Sequence, residues 1–188
     1  MYHPAALSHK GIIPDAGIGA IYGASGTFKS FLTYDLLAHI ANGLEWFEHR
    51  VKAAPTVYVP FEGQGGVPNR VRAWRTAQTA TRYTARDPDH LATFEPDADV
   101  LSHVAVIMEP LNLREPADRQ RLVASLKAQG RAGGVLCIDT LAHASAGIEE
   151  NSSAMGEMIS RFAMEGRGSS LYGISGLCRT MCNQRPAA

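Results

Sequence analysis

Eight consecutive residues near the amino end have the types and spacing needed to hold phosphate: Gly23, Ala24, Ser25, Gly26, Thr27, Phe28, Lys29 and Ser30. They approximate the pattern G-x-x-x-x-G-K-[ST], in which a glycine-rich turn leads from a strand into a helix. Gly23 and Gly26 are expected to take positive φ and bring backbone N–H groups close to phosphate oxygens. The helix N-terminus adds the positive end of its dipole. Lys29 would set its charge against the β and γ phosphates, and Ser30 would offer its hydroxyl to Mg²⁺. The expected ligand is ATP carried with Mg²⁺. Phe28 stands where the pattern has its second glycine. The loop tolerates it if residue 28 has helical backbone angles, with the ring turned away and the N–H still donating.

Two acids extend this chemistry. Asp139 closes the run Val135, Leu136, Cys137, Ile138. A carboxylate at the end of a buried strand beside a phosphate loop is suited to hold Mg²⁺ through its water shell. Glu62 closes a second run, Val57 to Phe61, and is followed by Gly63, Gly65 and Gly66. There it can act as general base toward an attacking water. A turn-capping Asp139 and a solvated loop Glu62 are the plain alternatives. His143 reads as a mobile loop histidine with no special role, the alternatives being that its segment senses the γ-phosphate or lines a central pore. Arg70, Arg72, Arg75, Arg82 and Arg86 surround Trp74 in a stretch that either touches nucleic-acid phosphates, with Trp74 stacked on a base, or packs Trp74 inward beneath solvated arginines.

Short apolar runs at 18–22, 56–61, 104–108 and 134–138 have the length and continuity of strands buried on both faces. Between them lie helical patterns. Phe31, Leu32, Leu36, Leu37 and Ile40 form a stripe that stops at Gly43. Residues 67–82 and 116–129 are the next two helices, the latter with Leu122, Val123 and Leu126 inward. A fourth starts near Asn151 or Ser152 as cap and runs through Met155, Met158, Ile159 and Phe162. Strand and helix alternate, which predicts an α/β fold with a mostly parallel sheet covered by helices. Residues 87–99 read as a Pro- and Asp-rich surface loop. The expected division is one domain over 1–170 and an atypical, disordered tail over 171–188.

The 188 residues suit a single domain, and 45% hydrophobic content is enough for a real core. Eighteen Lys and Arg balance 18 Asp and Glu. Such a chain does not coat nucleic acid or membrane by bulk charge, so DNA binding would need a local patch or an assembled ring. No run is long enough to span a membrane and no secretory leader is visible, so cytoplasm is the expected location. Cys137 reads as a core residue, and Cys178 with Cys182 lack the further ligands of a zinc site.

Over roughly residues 10–170 the chain resembles the RecA-like ATPases, and among them the RepA-type hexameric replicative helicases of plasmids and phages. The motifs are Gly11-Ile-Ile-Pro14, the segment from Tyr22 to Phe31, Tyr58-Val-Pro-Phe-Glu-Gly63, and Arg70-Val-Arg-Ala-Trp74. Ile138-Asp-Thr-Leu-Ala142 and Glu149-Glu-Asn-Ser-Ser153 complete the set. The resemblance implies a three-layer RecA-like domain, ATP hydrolysis and translocation on single-stranded DNA. It implies a homo-oligomeric ring, a hexamer, with ATP between neighbours. Lys29, Ser30, Glu62 and Asp139 match the family's phosphate, Mg²⁺, general-base and Walker B positions. After the helix near Phe162 the family pattern has a strand ending in a polar sensor. Here the sequence runs from Glu165 to Arg167 and Tyr172 with no such strand evident. An incomplete C-terminal edge without sensor or arginine finger is therefore expected. That leaves a second reading, a nucleotide-binding remnant or regulatory module without turnover, and a third, a small kinase.

Overall fold

Residues 135–139 are apolar up to their final acid, and they form the middle of the sheet. The structure is a computed structural model and describes residues 18–24, 26–84, 103–145, 147–148, 152–167 and 172–175. Its strands are β1 (Ile18–Gly19), β2 (Thr56–Pro60), β3 (Val104–Val106), β4 (Val135–Asp139) and β5 (Tyr172–Ser175). They join in the order β1-β5-β4-β2-β3. Every pairing is parallel, so the carboxyl ends of all five strands line one edge. In an open α/β sheet that edge is where ligands bind.

Both faces of the sheet are covered. All five residues of β2 and of β4 are buried, the pattern of parallel strands between helical layers. One cluster joins Tyr34, Leu36, Leu37 and Ile40 of helix α1 (Lys29–Asn42) to Tyr58, Val135 and Cys137, with Val67 and Trp74 of helix α2 (Val67–Thr84). The other joins Val57, Val59, Leu136 and Ile138 to Leu122 and Leu126 of helix α3 (Pro116–Ala128), Leu141 and Ala144 of the short helix α4 (Leu141–Ala144), and Met155 and Met158 of helix α5 (Ser153–Arg167). The α/β class read from the sequence is the one observed.

Two elements differ from the sequence pattern. Tyr172–Ser175 enters the sheet between β1 and β4, pairing with both, although the sequence reading ends the domain at residue 170 and finds no strand after α5. A four-residue Tyr-Gly-Ile-Ser segment has too little pattern to signal a strand; two parallel neighbours supply hydrogen bonds on both its sides. In α1, Phe31 and Leu32 are exposed, and Thr33 and Tyr34 take the inner face. Gly43 ends α1 as expected, at φ 61°, its N–H donating to the carbonyls of His39 and Ile40. Ser152 Oγ accepts the Met155 N–H at 3.3 Å, as a cap should. Lys10 to Pro14, Arg86, the 87–99 loop, Glu149 to Asn151, Cys178 and Cys182 lie outside the described residues.

A carboxylate on α1 anchors that helix. Asp35 accepts hydrogen bonds from Trp46 Nε1 at 2.7 Å and Trp74 Nε1 at 2.9 Å, using different oxygens. His39 Nδ1 lies 2.7 Å from the Asp35 carbonyl and 3.3 Å from its carboxylate. Burial pushes the Asp35 carboxyl up, but the hydrogen bonds from His39 and Trp46, the His39 charge and the Trp74 bond outweigh it and hold it below its ordinary value. Burial works against a charged His39, yet its contacts with Asp35 raise it above its ordinary value.

A Cβ on Gly134 would sit 2.0 Å from the Pro55 carbonyl oxygen, which accepts the Val135 N–H at 2.8 Å. Gly134→Ala should therefore destabilise the fold by about 2–3 kcal/mol, read as a lower urea midpoint. For the Asp35–His39 pair, a raised histidine contributes stability below its unfolded value of 6.5 that is lost as pH rises through the folded value. A depressed aspartate contributes above its unfolded value of 3.8 and loses that contribution as pH falls through the folded one. The pair should thus stabilise most between those two values. The chain's two tryptophans both touch Asp35, so their fluorescence across a pH series, in wild type and Asp35→Asn, measures it directly.

Candidate functional site

The loop between β1 and α1 closes on itself through short polar contacts. Lys29 Nζ donates to the carbonyls of Gly23 at 2.9 Å and Ala24 at 2.5 Å, and Thr27 Oγ1 donates to the Ala24 carbonyl at 2.8 Å. The ammonium is thus folded over the loop, with Ser30 beside it in the first turn of α1. Gly26 has φ 76°, as expected. Gly23 does not take positive φ; a Cβ there would lie 3.1 Å from Thr27 Oγ1 and 3.7 Å from Lys29 Cδ, so close packing is what requires glycine. Ser25 lies outside the described residues.

Phe28 is not helical. It caps α1 in the left-handed region, at φ 58° and ψ 21°, and its carbonyl accepts the N–H groups of Phe31 and Leu32. The backbone does there what glycine does in the general pattern. Its ring is 73% exposed and meets Phe31 edge to face, 5.9 Å between centroids. A bulky residue in this region is strained by about 1–2 kcal/mol.

The two acids come together at the carboxyl edge. Pro60 and Asp139 are paired in register, and beyond them the Phe61 N–H donates to the Asp139 carbonyl at 2.5 Å. This holds Glu62 next to the end of β4. Asp139 is buried, 4% exposed, whereas the Glu62 side chain is 62% exposed. His143, on α4, has Nδ1 3.6 Å from Glu62 Oε2 and 2.8 Å from Thr140 Oγ1. The histidine read as a loop residue therefore sits beside the candidate base.

Behind Asp139 stand Tyr58, which has no role in the sequence reading, and Arg70, which is read there as either a nucleic-acid phosphate contact or a solvated arginine. Tyr58, in the middle of β2, donates its hydroxyl to Asp139 Oδ2 at 2.5 Å. Burial, reinforced by the Asp139 charge and hydrogen bond, pushes the Tyr58 hydroxyl up, which keeps it a donor. Arg70 NH1 lies 3.4 Å from the Tyr58 hydroxyl, and its Cζ stands 5.7 Å from the Phe31 ring centroid. The available signal was a tyrosine in an otherwise apolar strand, since a buried phenol needs a partner. Trp74 is 6% exposed and bonded to Asp35, so it is a core residue and not a base-stacking platform. Arg70 points at the site, and Arg72 is exposed.

The donor set suits a metal that arrives with phosphate. Among the described residues no group of three or more His, Cys, Asp or Glu is gathered to hold an ion. Mg²⁺ characteristically binds through one or two carboxylates plus substrate phosphates, which Asp139 and Ser30 can complete. No helix among the described residues is long and apolar enough to cross a membrane. A family model described as AAA domain matches residues 3–164 of the chain. No curated protein matches it.

Phe28→Gly tests the strained cap. Relief of left-handed strain opposes the greater unfolded-state freedom of glycine, about 0.5–1 kcal/mol. The expected result is a urea midpoint unchanged or slightly higher. A clear drop would mean that the Phe28–Phe31 contact outweighs the strain.

Proposed function

The chain belongs to this AAA-domain family of nucleotide-binding ATPases, and we propose that it binds Mg-ATP on residues 23–30 and hydrolyses it with Glu62 as general base. The carrying observation is that Asp139 and Glu62 are brought together at the carboxyl edge of one parallel sheet by the Phe61–Asp139 backbone bond, the same edge from which the loop after β1 leads to Lys29. Lys29 exchanges its contacts with the Gly23 and Ala24 carbonyls for phosphate oxygens. The N–H groups that open α1 add their dipole to the same charge. Ser30 and Asp139 would hold Mg²⁺, which would supply neutralisation of the phosphate charge. Glu62 orients the attacking water and accepts its proton, with His143 beside its carboxylate.

Within that chemistry the finer reading is a motor of the RepA helicase type. Copies of the chain would form a hexameric ring and couple hydrolysis to movement along single-stranded DNA. Its support is the order of motifs from Tyr22 to Ala142, together with β5, which follows α5 and ends on a polar residue, Ser175. A strand in that place weakens the reason for treating the chain as a remnant without turnover. Arg72, exposed on α2, is available for a DNA phosphate.

Steady-state hydrolysis with Mg²⁺, with and without single-stranded DNA, tests both levels. Lys29→Ala should lower turnover by about 100-fold or more. Glu62→Gln should keep ATP affinity within a few-fold while kcat falls about 100-fold or more. DNA stimulation supports the motor; hydrolysis indifferent to DNA leaves the ATPase and removes the motor. ATP binding without any turnover would leave a nucleotide-binding module.

A further inference from the structure

Asp139 contributes one buried carboxylate to the edge where phosphate and metal would meet, and a single carboxylate on a strand end can rotate about its side-chain bonds. What stops it is a pair of residues outside the phosphate loop. Tyr58 lies one strand over, in β2, where its backbone register partners are Cys137 in β4 and Val106 in β3. Its ring is fully buried and packs edge to face on Tyr34 of α1, 6.1 Å between centroids. The hydroxyl therefore has a fixed origin, and it takes Asp139 Oδ2 at 2.5 Å. That leaves Asp139 Oδ1 as the oxygen that would serve a metal's water shell.

Arg70 sets the second half of the arrangement. Its guanidinium donates toward the Tyr58 hydroxyl at 3.4 Å. It also lies against the loop that follows Glu62. A Cβ on Gly63 would come within 3.1 Å of Arg70 NH2, and one on Gly66 within 3.5 Å. Those two glycines give the guanidinium room. The opposite contact is the Phe31 ring, next to Ser30 on the phosphate-loop helix. One side chain thus touches the Glu62 loop, the phosphate-loop helix and the hydroxyl that holds Asp139. Residues behind a metal ligand fix its orientation, and losing them commonly costs 10- to 100-fold in metal affinity.

We propose that Tyr58 and Arg70 act in series as positioning residues for the Mg²⁺ carboxylate Asp139, with Arg70 tying that carboxylate to the loop that carries Glu62. The inference rests on the reading of Asp139 as the metal carboxylate. In this arrangement Tyr58 holds the carboxylate in one rotamer, and Arg70 holds the tyrosine hydroxyl and the glycine loop in one relation.

The test measures metal, not turnover. Mn²⁺ binding to the protein–ATP complex is followed by electron paramagnetic resonance, and ATP binding in EDTA is measured separately. Asp139→Asn sets the loss when the carboxylate is removed. Tyr58→Phe keeps the buried ring and should weaken Mn²⁺ by about 10-fold or more, with ATP affinity in EDTA unchanged. Arg70→Ala should weaken Mn²⁺ less, Arg70→Lys should recover part of that loss, and Arg70→Ala should add nothing in a Tyr58→Phe background. Unchanged Mn²⁺ affinity in Tyr58→Phe overturns the proposal. So does an equal loss of Mn²⁺ and metal-free ATP binding, which would mark general damage, or additive effects of the two substitutions. If Asp139→Asn itself leaves Mn²⁺ binding intact, the reading of Asp139 falls first and the relay falls with it.

Discussion

The five-residue pairing of β2 with β4 is the contact on which the site depends. Thr56 to Pro60 run beside Val135 to Asp139 in unbroken parallel register. Because every side chain of both strands is buried, a slip of one residue would turn both sets of side chains to the wrong helical layer. The register is therefore strongly specified, and it has chemical consequences. It sets Tyr58 within reach of the Asp139 carboxylate and lets the Phe61 N–H find the Asp139 carbonyl. Two acids separated by 77 positions in sequence are thus brought to one edge by backbone geometry, before any side chain contributes.

The second requirement is that the phosphate loop face that edge, and α1 provides it. The helix starts at Lys29, so its orientation aims the loop's N–H groups. Apolar packing of Leu36, Leu37 and Ile40 fixes its depth on the sheet. Packing alone is non-directional, and Asp35 adds direction. Its carboxylate ties the helix to Trp46, in the connection to β2, and to Trp74 on α2. A half-buried acid surrounded by two indole donors and an imidazole offsets its desolvation by hydrogen bonds that an apolar residue could not supply.

Against this rigid frame the loop departs from the general residue pattern at Phe28. Phe28 adopts the left-handed backbone that glycine would supply, and its ring goes to solvent. The strain is small beside the packing that surrounds it and is local to a cap whose carbonyl still starts the helix.

The sequence by itself determined the class of fold and nominated the residues proposed for the site. Continuous apolar runs mark strands buried on both faces, and an acid ending such a run, as Asp139 and Glu62 do, lies at the strand's carboxyl end. The loop from Gly23 to Ser30 carries its chemistry in residue types. These signals are local, so they can be read without knowing what lies across the sheet. Tertiary structure decided the rest. Whether Tyr58 served the core or the site depended on the β2–β4 register, which no local pattern contains. Arg70 and Trp74 sit four residues apart on one helix, yet the first reaches the site and the second binds Asp35, because α2 packs across both α1 and β2. Tyr172–Ser175 became a strand through the two neighbours that flank it, a long-range cause that four residues of sequence cannot display.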